Sequence, residues 1–243
     1  MLLRAGDCMT RSAFVLYADR DATDALRVAL ALAPRGSGCQ RLDGAPGRLV
    51  LHRGGQPVDT AEGGAAMLEL IERHHPDQPL HPRDPDRLAR QRALMGATER
   101  AEGRFEKVLG ARGPGDLDLA LHFLFQSLEP IEAGIEAPPR AGRHPLSNLD
   151  VMLAPLLWRI TLLDRSELTF ILATLPRLAA RAGWLLAQVE VREVLDAEAA
   201  DRFTAALRRN RPGQAVGEAE DWSRALGPAG HEPRAADRMR RQL

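Results

Sequence analysis

The chain has 243 residues, a formal net charge of zero and 44% apolar content, enough for one large or two small packed domains. Balanced charge implies no generalised attraction to nucleic acid or anionic membranes, both of which need clustered excess cations. No apolar run reaches membrane-span length, and Met1–Cys8 lacks the apolar core of a secretory leader. With Cys8 and Cys39 in no metal or redox spacing, the expectation is a cytoplasmic protein with free thiols.

Ala13-Phe-Val-Leu-Tyr17 is a short, β-prone apolar run and reads as a buried strand. Thr23 or Asp21 can cap the next helix, whose apolar residues Ala25, Leu26, Val28, Ala29, Leu30 and Leu32 precede a stop at Pro34 and Gly36. A faint strand near Cys39–Leu42 follows, then a clear one at Arg48–His52, a Gly54-Gly55 turn and a short strand beginning at Pro57-Val58. A helix then spans about Ala61 to His75. This order, β-α-β-β-β-α, is that of a small thioredoxin-like α/β domain over residues 12–76, too small to be stable without a neighbour.

Pro76 to Pro85 holds four prolines in ten residues. Proline removes a backbone donor and clashes with a continuing helix, so residues 77–85 read as an extended linker. Residues 86–209 read as an all-helical domain, with helices at 86–110, 116–133, 147–163, 166–182 and 187–208. Pro155 falls inside the third of these and reads as a tolerated kink. Residues 210–243 are rich in Gly and Pro and poor in apolar residues, the composition of a flexible tail that Trp222 and Leu226 would pin.

The strongest local signal is Leu146-Ser-Asn-Leu-Asp-Val-Met-Leu-Ala-Pro-Leu-Leu-Trp158. Ser147 caps a helix, Asp150 reaches back to the Ser147 N–H, and Leu146 and Val151 form a hydrophobic staple. Such a box opening the central helix of an all-helical domain resembles glutathione transferase-like proteins. Leu153-Ala-Pro-Leu-Leu-Trp-Arg159 looks most like one branch, the RNA-polymerase-associated stringent starvation protein A. Glu62-Gly-Gly-Ala-Ala-Met-Leu-Glu-Leu-Ile-Glu-Arg-His-His-Pro76, with Gln78-Pro-Leu-His-Pro82, Asp84-Pro85 and Arg87, is similar to the family's last thioredoxin-domain helix and linker. Leu175-Pro-Arg-Leu178 with Val191 resembles its late Pro-x-Leu helix. The resemblance covers about residues 13–208. It implies a thioredoxin-like α/β N-terminal domain, an all-α C-terminal domain, and pairing as a homodimer or as a heterodimer with a related chain.

The resemblance also says where a glutathione site would lie. A thiol activator is expected near Tyr17, which otherwise reads as an aromatic on a half-buried strand. A cis-proline is expected before the third strand, but Arg48-Leu49-Val50-Leu51 contains none, and cis peptides are almost confined to X-Pro bonds. A Glu-Ser pair is expected at a helix start. Here Glu62-Gly63 keeps the carboxylate and a Gly-rich helix N-terminus, which is also simply a favourable placement of Glu62 against the helix dipole. In the starvation-protein branch a Pro-His-Pro in the linker contacts the polymerase; Pro76, Asp77 and Gln78 stand there. His74, His75 and His81 lack the common face a metal needs and read as a solvated helix end. Glu99/Arg100 and Glu102/Arg104/Glu106 read as a solvated helix face. Trp158 reads as core, and Arg159 as a bridge to a carboxylate across the domain interface.

The expectation is therefore a non-enzymatic interaction protein similar to the stringent starvation protein, bound to RNA polymerase or another protein in stress-linked transcription. It carries no resident cofactor, metal, membrane span or direct nucleic-acid contact. The alternative is a divergent glutathione transferase or glutathione-binding protein, which leaves glutathione as the one open ligand.

Overall fold

The computed structural model describes residues 12–44, 47–139, 144–167 and 169–210. The expected tail beyond Asn210, with Trp222 and Leu226, lies outside them, as does Cys8.

The first half contains β1 (Ser12–Tyr17), α1 (Thr23–Leu32), β2 (Cys39–Leu42), β3 (Arg48–Arg53), β4 (Gln56–Glu62) and α2 (Gly64–His74). The sheet order is β2-β1-β3-β4, with β1 and β2 parallel and the other pairs antiparallel. Side chains alternate between sheet faces. Phe14 pairs with Leu51 and Leu16 with Leu49, and all four join one core with Val28 and Leu30 of α1 and Met67, Leu68 and Ile71 of α2. Val15 and Val50 point to the other face and lie outside that core. The β3–β4 hairpin turns on Gly54 and Gly55, at φ +59° and +79°, a left-handed pair suited to a tight hairpin.

Two boundaries differ from the expectation. β4 continues to Glu62, so α2 begins at Gly64 rather than Ala61. Gly63, at φ +83°, makes the corner between them, a conformation glycine adopts without a Cβ penalty. Helix α1 starts after Ala22 with no side-chain cap. Asp21 and Thr23 are engaged elsewhere: the Asp21 carbonyl and the Thr23 hydroxyl accept from Arg159 at 2.6 Å each.

The second half contains α3 (Pro85–Gly110), α4 (Pro114–Gly134), α5 (Asn148–Glu167), α6 (Pro176–Ala187), α7 (Val189–Val194) and α8 (Ala197–Asn210). Asp84 caps α3 by accepting from the Arg87 N–H at 2.8 Å, with Pro85 at the first helical position where no donor is needed. Helix α5 is central: every residue from 151 to 160 is buried, which is why its sequence is apolar all round. Pro155 lies within it.

The expected helices at 166–182 and 187–208 are interrupted. Asp164 accepts from the Ile171 and Leu172 N–H groups at 2.8 and 3.0 Å. That carboxylate holds a reversal ahead of α6, with Phe170 at φ +55°. Asp196 accepts from the Ala199 N–H at 2.7 Å, starting α8 afresh after α7. Both breaks are made by aspartates that compete for backbone donors. No described helix is long and apolar enough to cross a membrane.

Candidate functional site

A cleft of about 730 Å³ opens between the β1–α1 turn, the loop before β3 and one face of α3. Asp19, Asp21, Asp24, Glu99, Glu102 and Glu106 line it, against Arg20 and Arg159. The three glutamates recur at i, i+3 and i+7, one stripe of a helix. The expectation of a solvated face holds for Arg100, Arg104 and Glu106, which are exposed, but not for Glu99 and Glu102, which are half-buried. The stripe runs past two buried arginines, one on α1 and one on α5.

Arg27, on α1, is 2% exposed. It donates to Glu102 at 2.7 Å, to the Met152 carbonyl at 3.3 Å and to Asp24 at 3.4 Å. It therefore ties α1 to α3 and α5 at once. Arg159, on α5, reaches the Asp21 carbonyl, the Thr23 hydroxyl and, at 3.3 Å, Glu106. The expected bridge across the interface thus ends mainly on a carbonyl and a hydroxyl, with the carboxylate as the longest contact. Burial, and then the neighbouring Glu102, hold the Asp24 and Glu106 carboxyls above their ordinary values despite the arginines. The cleft is thus a crowded, partly desolvated set of carboxylates.

The helix start at its edge is already occupied. Glu99 Oε1 accepts from the Ala65 N–H at 2.9 Å. The first turn of α2 offers orphan donors and the positive end of the helix dipole, and a carboxylate from α3 takes that place. Glu62, expected there, instead ends β4 opposite Arg48 and is exposed. Beneath, the guanidinium of Arg27 lies 2.6 Å from where a Cβ on Gly64 would sit, so residue 64 has no room for a side chain.

Tyr17 is half-buried, with the Arg48 guanidinium 5.0 Å from its ring centroid; Ala18 and Asp19 line the cleft and Tyr17 does not. Leu49 sits in a regular ladder opposite Leu16. The backbone edge that a cis-proline would expose is therefore paired within the sheet.

The linker is strapped to both halves. Glu72 pairs with buried Arg35 and accepts from the Leu80 N–H at 3.0 Å. His81 Nε2 meets Glu69 at 3.0 Å while its Nδ1 meets Gln91. His75 stacks on Phe14 at 5.9 Å, and His74 turns to Asp59. The three histidines diverge, and no cluster of three metal-ligating side chains occurs among the described residues. Pro76, Asp77 and Gln78 form an exposed turn, closed by the Gln78 N–H donating to the His75 carbonyl at 3.1 Å.

At α5 the Ser147 N–H donates to Asp150 Oδ2 at 2.9 Å, and the Asp150 N–H donates to Ser147 Oγ at 3.2 Å. The other Asp150 oxygen receives buried Arg181 at 3.2 Å, a partner with no signature in the local sequence.

No protein-family profile matches the chain, and no curated protein does. Solved structures do. The chain is similar to glutathione transferase Omega 3C from Trametes versicolor (TM-score 0.62, 18% identity, 76% of this chain and 90% of that one). It is similar to a Tau class glutathione S-transferase from mango, Mangifera indica (TM-score 0.64, 17% identity, 80% and 98%). It is also similar to a maleylacetoacetate isomerase from Anaeromyxobacter dehalogenans solved with glutathione in its active site (TM-score 0.59, 21% identity, 84% and 99%). A four-stranded mixed sheet with α1 and α2, followed by an all-helical half, gives this chain the fold of the glutathione transferases.

Proposed function

We propose that this chain is a non-enzymatic, cytoplasmic member of the glutathione transferase-like proteins that acts by binding another protein, as the stringent starvation protein binds RNA polymerase. The observation that carries the reading is Glu99 on the Ala65 N–H. A glutathione carboxylate would have to displace a covalently tethered carboxylate, and would do so among five more acidic side chains. Like charges at that spacing disfavour a ligand that is itself anionic. The unbroken β1–β3 ladder at Leu49 removes a second means of holding the peptide.

The partner surface we assign is the exposed turn Pro76-Asp77-Gln78, which the straps at Glu72 and His81 hold in one position. The proposal includes assembly as a homodimer or with a related chain, and no direct contact with nucleic acid. Affinity capture of the tagged protein from its own cells should recover RNA polymerase subunits. A variant with Asp77→Arg and Gln78→Ala should recover fewer. Capture that lacks polymerase in both would contradict the partner assignment.

A second reading, a divergent glutathione-binding protein, draws on the structural neighbour that holds glutathione in its active site. Direct titration with glutathione separates the two readings.

A further inference from the structure

A second cleft, of about 540 Å³, lies where the linker crosses α3 and the start of α5. It shares no lining residue with the acidic cleft. Its volume falls within the roughly 300–1,000 Å³ of small-molecule sites. Its floor is apolar, formed by Leu80, Leu94, Ile135, Leu146 and Leu149.

Its charge is of the opposite sign. Arg87, Arg90, Arg181 and His81 line it, and Glu136 is the one carboxylate among its lining residues. Arg181 is already engaged, by Asp150 at 3.2 Å and by the Glu136 carbonyl at 3.0 Å. His81 is held between Gln91 and Glu69. Arg87 and Arg90 differ: they stand one turn apart on α3, both exposed, and neither guanidinium meets a carboxylate among the described residues. Asp84 takes the donor at the α3 N-terminus, so recognition of an anion there falls to these two side chains. Guanidinium groups bind carboxylates through paired N–H donors.

From this pairing of an apolar floor with two unengaged arginines, we infer that the linker cleft binds a small amphipathic carboxylate. The acid group lies between Arg87 and Arg90, and the apolar body lies along Leu80, Leu94 and Leu149. The inference is independent of any protein partner. Arg181 also joins the cleft wall to the α5 cap, so an occupied cleft rigidifies the joint between linker and central helix.

The test uses the full chain and decanoate, followed by calorimetry. Saturable binding at one site per chain is expected, with neutral decanol at least tenfold weaker. Arg87→Glu with Arg90→Glu should weaken decanoate at least tenfold and leave the melting temperature unchanged, since both side chains are exposed. Arg87→Lys with Arg90→Lys should retain binding within about threefold. A charge-keeping pair that binds while the reversed pair does not separates recognition from misfolding. Absence of saturable binding up to millimolar decanoate, equal affinity for decanol, or unchanged affinity in the reversed pair would each overturn the inference.

Discussion

Among the helix starts closed by side-chain acceptors, those of α5 and α2 are closed in contrasting ways. At α5 the acceptors are Ser147 and Asp150, three residues apart, and each closes the other's backbone donor. At α2 the acceptor is Glu99, thirty-four residues along the chain from the Ala65 N–H it holds. The first closure is local and forms with its own helix. The second exists only once α3 has packed against the N-terminal half. A cap made by tertiary packing occupies a place that a ligand would otherwise take, whereas a local cap only defines where a helix begins.

The tertiary side of that comparison depends on Arg27, so its removal has the largest expected effect. Arg27→Ala leaves Glu102 and Asp24 without their buried cation, and breaking one side of such a cluster costs about 3–5 kcal/mol. Chemical denaturation should show a midpoint lowered accordingly; a loss below about 1 kcal/mol would mean that Arg27 does not join the two halves. Next comes Asp150→Ala, expected to cost about 2–3 kcal/mol, because it removes a cap and also leaves buried Arg181 unpaired. Ser147→Ala should cost about 1 kcal/mol, the ordinary value of a cap, and Glu99→Ala no more than that. Equal losses for Asp150→Ala and Ser147→Ala would remove Arg181 from the account.

The smallest effect concerns pH. The carboxyls of Asp24 and Glu106 are raised in the folded protein, so they favour folding while protonated. That contribution is fully present below their unfolded values and is lost as pH rises through the folded ones. Asp24→Asn does not titrate. Its stability relative to the unmodified protein should therefore increase between about pH 4 and pH 6. Parallel denaturation series at the two pH values check this; a difference that falls instead would show that the Arg27 pair outweighs burial at Asp24.

The same contrast explains what the sequence made legible. The Ser147–Asp150 box and the strands at β1 and β3 are signals a few residues long, and periodicity or capping chemistry exposes them. The acidic stripe of α3 was visible as spacing, Glu99, Glu102 and Glu106, yet charged residues at helical intervals usually face water. Its buried partners, Arg27 and Arg159, both lie on other helices. The breaks before α6 and α8 rest on Asp164 and Asp196, whose competition for backbone donors apolar periodicity does not register. In the sequence Arg87 is marked only as part of the linker resemblance and Arg90 not at all, because their pairing gains meaning from a floor assembled from the linker and from α3, α5 and the end of α4.

The proposed function turns on Glu99, which holds the Ala65 N–H, excluding glutathione from the start of α2. Calorimetric titration of the full chain with glutathione tests it directly. The account predicts no saturable heat at a dissociation constant tighter than about 100 μM, roughly −5.5 kcal/mol. Saturable one-site binding tighter than that would contradict it.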